Sequence, residues 1–118
     1  GVHCMIVWNN RKALMFGRTG KRMTNVEHLE ADLSIRLNGS TVVPCVIMAE
    51  LCNDEWSLEE LSGVTNPNRT KPLTEEKLEG LGSMYLSVFD IIIMEAFVAA
   101  VLDGVYIQHQ VHQLRMLP

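Results

Sequence analysis

The chain has 118 residues, 47% of them hydrophobic and 20% charged, with a formal charge of −4 at pH 7. That length fits a single domain, 1–118, able to bury a core, and the balance leaves little room for disorder. A net negative chain is a poor generic nucleic-acid binder. Three cysteines, Cys4, Cys45 and Cys52, cannot all pair within one chain, and their spacing does not resemble a disulfide framework. Both points favour a reducing, cytoplasmic setting.

The opening GVHCMIVW has no basic n-region and no long apolar h-region, so it does not read as a signal peptide. His3 to Trp8 is rich in strand formers and is followed by Asn9-Asn10 and a second apolar run, Lys12 to Phe16. Asparagine tolerates positive φ, so the spacing predicts a hairpin over 3–16. The segment GRTGKRMTN then reads as a flexible basic loop. Residues 1–22 hold Arg11, Lys12, Arg18, Lys21 and Arg22 and no acid. These five are the candidate contacts for a nucleic acid or a phosphate ligand. FGRTGKR is not a phosphate loop: the pattern wants Gly where Met15 stands and Ser or Thr where Arg22 stands.

Two templates compete over Thr24 to Leu37. As a helix, Thr24 and Glu27 would form a capping box, with Val26, Leu29, Leu33 and Leu37 on one face. As a strand, LEADLSIRL alternates without a miss, and Asn38-Gly39 supplies a hairpin turn into the strand-like STVVPCVIM. The strand is the preferred reading, which gives a second hairpin near 29–48. Pro44 then places its strand at a sheet edge, because proline has no ladder donor; alternatively it opens a helix.

Further on, Ser57 with Glu60 forms a capping box, with Trp56 placed to staple against Leu61. Thr74 caps a second short helix, Glu75 to Glu79. VTNPNRTKP between them is a surface loop by composition. Gly80 to Gly82 break the chain before SMYLSVFDIIIMEAFVAAVLD, the longest apolar run.

Read as a helix over 83–103, that run sets Ser83, Ser87 and Asp90 on one line. Glu95 then lies roughly 140° from Asp90, at about 100° per residue. The run reaches the spanning length of about 20 residues, but two acids within it argue against a membrane. It is read instead as a core or interface helix. After it, VYIQHQVH alternates like a strand, although QHQVHQLRM also fits a helical tail.

Asp90 and Glu95 are the candidate catalytic residues, since a carboxylate in apolar surroundings becomes a useful acid or base near neutral pH. Their divergent directions prevent joint action on one atom. His109 and His112 share a helix face and invite a metal site with His3, Cys4 or Cys52. There is no CxxC or HExxH, so no metal and no cofactor is assigned. The order from Ala31 to Asp103 (a strand, an NG turn, an apolar segment, SLEEL, PLTEEKLEGLG and an apolar helix) is similar in outline to small phage tail-assembly chaperones. The basic hairpin of residues 1–22 stands outside that outline.

The sequence therefore predicts an α+β fold: an antiparallel sheet of three to five strands packed on one long apolar helix, with two short helices. The function it favours is a non-enzymatic assembly or adaptor subunit that meets copies of itself or a protein partner. Binding of nucleic acid or a phosphate ligand through the basic hairpin is the second reading. The third is a small acid-base enzyme with a buried carboxylate in a pocket.

Overall fold

The computed structural model describes residues 1–40 and 42–102. The fold is α+β, with a four-stranded antiparallel sheet in the order β2-β1-β3-β4. The strands are β1 (Val2–Trp8), β2 (Ala13–Phe16), β3 (Cys45–Cys52) and β4 (Tyr85–Ile93). The helices are α1 (Glu27–Asn38), α2 (Leu58–Thr65), α3 (Glu75–Gly80) and α4 (Met94–Leu102), with a single 3-10 turn at Leu81–Ser83.

The first hairpin forms as the sequence predicts, pairing Met5 with Phe16 and Trp8 with Ala13. Asn9 Oδ1 accepts from the Arg11 and Lys12 amides at 2.9 and 2.8 Å. Asn10 takes the positive φ of 76° that an asparagine tolerates best after glycine.

The 29–48 hairpin does not form, because residues 27–38 are helical. Both templates fit the local pattern, and tertiary contacts decide between them. As a helix, α1 lays Leu29, Leu33 and Leu37 on the core that also contains Val26. It also sends two polar side chains to the outer edge of β2. There the Ala13 N–H donates to Ser34 Oγ at 2.9 Å, and the Met15 N–H donates to the buried Glu30 carboxylate at 2.7 Å. Arg22 closes the group with bonds of 3.0 and 3.1 Å to the two oxygens of Glu30. A strand would have supplied no such acceptors. Thr24 does not cap the helix; its hydroxyl donates to the Asn66 carbonyl at 2.8 Å, and Val26 holds the cap position without a side-chain bond.

Pro44 lies just before β3, which is a central strand between β1 and β4. It is therefore not the mark of an edge. Outside the ladder its missing donor costs nothing, and its carbonyl accepts from the Met94 N–H at 3.0 Å.

The long helix over 83–103 is likewise replaced, by β4 and then α4. Val88, Ile91, Ile92 and Ile93 are β-branched, and with Tyr85 and Phe89 they favour a pleated strand paired with β3. MEAFVAA, rich in straight-chain and alanine residues, favours the helix that follows. The end of the predicted helix at Asp103-Gly104, and the segment VYIQHQVH with His109 and His112, lie outside the described residues.

The main core fills the sheet face covered by α1 and α2, with Cys4, Ile6, Trp8, Met15, Ala49 and Leu51 wholly or almost wholly buried. A smaller core on the opposite face joins Val46 and Ile92 to Met94, Ala96 and Phe97 of α4. The α2 capping box is present as predicted, Ser57 Oγ accepting from the Glu60 N–H at 3.1 Å and Glu60 accepting from the Ser57 N–H at 3.3 Å. α3 sits beneath the Trp56 ring, and only glycine fits at its end: a Cβ on Gly80 would stand 2.3 Å from Trp56 Cζ2. No described helix is long and apolar enough to cross a membrane.

Two substitutions test this packing. Glu30→Ala leaves the buried Met15 N–H without an acceptor, and a loss of about 1–3 kcal/mol in urea unfolding is expected. Gly80→Ala drives a methyl into a rigid indole and is expected to lower the unfolding free energy read from urea curves by a similar amount, about 1–3 kcal/mol.

Candidate functional site

The five basic candidates do not form one patch. Arg11 and Lys12 occupy the tight turn at one end of β2, and Arg18 and Lys21 occupy the loop at its other end. The strand between them has four residues, a separation of roughly 13 Å. Arg22 is committed to Glu30.

Arg18 and Lys21 line the mouth of a cleft of about 640 Å³. Val2 and His3 line it from β1, Leu58, Ser62 and Thr65 from α2, and Asn66 to Asn68 from the following loop. Glu50 contributes from β3. The walls are fixed by backbone bonds. Gly17 N–H donates to the Lys21 carbonyl at 2.9 Å and Gly20 N–H to the Gly17 carbonyl at 3.0 Å, so the basic loop is a closed turn. Gly20 has φ of +82°, a value that side chains other than Asn or Asp rarely adopt. The Thr24 N–H reaches the Thr65 carbonyl at 3.0 Å, and Asn25 Nδ2 reaches the Val64 carbonyl at 2.8 Å. These bonds join the two sides of the cleft. Of the residues around this cleft the sequence singles out the cations alone; Ser62, Asn66 and Asn68 carry no sequence signal beyond polarity.

The two carboxylate candidates fall on different elements. Asp90 is on β4, buried, opposite Met48. Glu95 is exposed in the first turn of α4, where a negative charge suits the helix dipole. The expectation of a buried Glu95 is thus corrected: its position changes from mid-helix to a helix start. Neither acid lines the cleft.

Cys4 and Cys45 are buried in the main core. Burial, with a smaller contribution from Cys52, pushes the Cys4 thiol up to about 12 from its ordinary 9.0. Burial also raises the Cys45 thiol. Both are poor nucleophiles and poor metal ligands near neutral pH. Among the described residues no three His, Cys, Asp or Glu side chains converge as a metal site.

The other notable surface is the outer edge of β4. Among the described residues β4 pairs on one side only, with β3. Val88, Phe89 and Ile91 are exposed by 49, 43 and 43%. A bulge opposite Met48/Ala49 interrupts its ladder. Val98, Val101 and Leu102 of the adjoining α4 are exposed as well. No protein-family model, curated protein or solved structure matches the chain.

The cysteine environments predict the order of alkylation. With iodoacetamide at pH 8, Cys52, the half-buried thiol, is expected to react in the native protein. Cys4 and Cys45 are expected to react only after unfolding, as read by residue-resolved mass spectrometry.

Proposed function

We propose that the chain is a non-enzymatic assembly subunit that pairs with a second copy of itself through the open edge of β4. The observation carrying this reading is the unequal treatment of the two sheet edges. At β2 the outward N–H groups are capped by Ser34 and Glu30. Of the nine residues of β4, Tyr85, Val88, Phe89 and Ile91 expose hydrophobic side chains, and the only charged residue, Asp90, is buried. An apolar edge without lysine or proline is a template for another strand.

A second copy fits this edge for two reasons. No exposed charge on β4 opposes its own image, so two copies meet without like-charge repulsion. Pairing of β4 with β4 about a two-fold axis is antiparallel, continuing the pattern of the sheet. A two-fold pairing of this kind uses the open edge of both copies and so closes at a dimer. The exposed residues of α4 extend the apolar surface beside the strand.

Sedimentation equilibrium tests the reading. The wild-type chain is expected to show a concentration-dependent dimer, and Val88→Lys with Ile91→Lys is expected to weaken it at least tenfold while leaving the fold intact. A monomer at all concentrations overturns the reading. So does a monomer whose β4 amides are protected from exchange by residues 103–118 of the same chain.

A further inference from the structure

We propose that the cleft between the Gly17–Lys21 turn and the Asn66–Asn68 loop binds the phosphoryl group of a small ligand, through Arg18 and Lys21. This site is separate from the β4 edge and does not depend on dimerisation.

The first argument is the use made of each cation. Arg22 is bonded to Glu30, Arg36 to Asp32 and Lys77 to Glu60, and Arg69 donates to the Gly63 and Lys71 carbonyls. Arg11, Lys12, Arg18, Lys21 and Lys71 have no ion pair among the described residues, and of these only Arg18 and Lys21 line this cleft. Two cations three positions apart on a closed turn repel each other. That cost is relieved when an anion sits between them.

The second argument is preorganisation. The turn that carries the two cations is closed by the Gly17–Lys21 and Gly20–Gly17 bonds. The facing wall is held by an Asx turn in which Asn66 Oδ1 accepts from the Asn68 N–H at 2.9 Å. With its oxygen so engaged, Asn66 keeps its amide N–H₂ group as a donor. Thr19, Ser62 and Asn68 add further polar groups to the lining. An anion entering the cleft finds charged and neutral donors on walls that are already joined, so little ordering entropy is lost.

The third argument sets the class of ligand. A cleft of about 640 Å³ has the size of a small-molecule site. Glu50 lines it from β3, two strands from β2 and so roughly 10 Å away. The Gly1 amino group lies 3.9 Å from this carboxylate and offsets part of its charge, while its oxygens remain able to accept hydrogen bonds from hydroxyls. The cations at the far turn, Arg11 and Lys12, are too distant to continue a phosphate track. Together these features favour one compact phosphoryl group, free or on a small hydroxylated ester, over an extended nucleic acid.

The test is an amide-resolved NMR titration of the full chain with inorganic phosphate and, separately, with glycerol phosphate, against sodium chloride at matched ionic strength. Saturable shifts at Gly17 to Lys21 and Asn66 to Asn68, absent with chloride, are expected. The ratio of the two affinities tells whether free phosphate or the ester is the better ligand. The double variant Arg18→Gln/Lys21→Gln is expected to lose at least tenfold in affinity, with Arg11→Gln/Lys12→Gln staying within about twofold of wild type. All four side chains are exposed, so the variants fold. Absence of saturable shifts through about 10 mM phosphate overturns the proposal. Binding of a single-stranded oligonucleotide that both double variants weaken equally also overturns it, in favour of a distributed basic surface.

Discussion

The Glu30 carboxylate is the contact on which the arrangement of this fold turns. It is nearly inaccessible to water, yet it accepts from the Met15 backbone at 2.7 Å and from Arg22 at 3.0 and 3.1 Å. A buried carboxylate is costly unless its lone pairs are used, and here backbone and guanidinium use them. The same bonds fix the position of α1 along β2, so that Leu29, Leu33 and Leu37 meet the core. They also anchor the end of the basic loop through Arg22. Helix, sheet edge and loop are thereby placed relative to one another by one side chain.

That contact has a consequence across the sheet. An edge strand must dispose of outward-facing N–H and C=O groups. At β2 this is done within the chain, by Ser34, Glu30 and the Met23 N–H that reaches the Met15 carbonyl at 3.0 Å. At β4 no described side chain does the same, and the residues there are apolar. The difference between the two edges separates a surface the fold has closed from one it has left open. The cleft lies near the closed side, at the end of β2 opposite the hairpin turn. Its cations, Arg18 and Lys21, lie on the same loop as Arg22 and are not bonded to Glu30.

Local sequence was a sound guide wherever the chemistry of a few neighbours decides the outcome. The Asn9-Asn10 turn and the Ser57/Glu60 capping box form as read, because each is closed by its own short segment. Thr24 failed as a cap for the converse reason: an acceptor forty-two residues away, at Asn66, competes for its hydroxyl. At residues 29–37 the helical and alternating patterns coincide, and periodicity has no means of choosing. The run from Ser83 was ambiguous in another way. A fully apolar stretch carries no period, and its β-branched first half and alanine-containing second half were the signal for two elements. Of the candidate site, the cations Arg18 and Lys21 were visible in sequence. Their partners Ser62, Asn66 and Asn68 were not, because they are more than forty residues away and carry only generic polarity.

By itself the sequence determined the α+β class, the first hairpin, the capped short helices and the acid-free basic segment, all of which follow from local propensity, turn chemistry and charge. Only the tertiary structure decided that residues 27–38 are a helix, since the acceptors that β2 needs come from Glu30 and Ser34. It alone decided that residues 85–93 are a strand, since β3 offers a ladder to the β-branched run. It also divided the five cations between two ends of a hairpin and one ion pair. The physical reason is common to all three: hydrogen-bond partners distant in sequence are supplied only when the chain has folded.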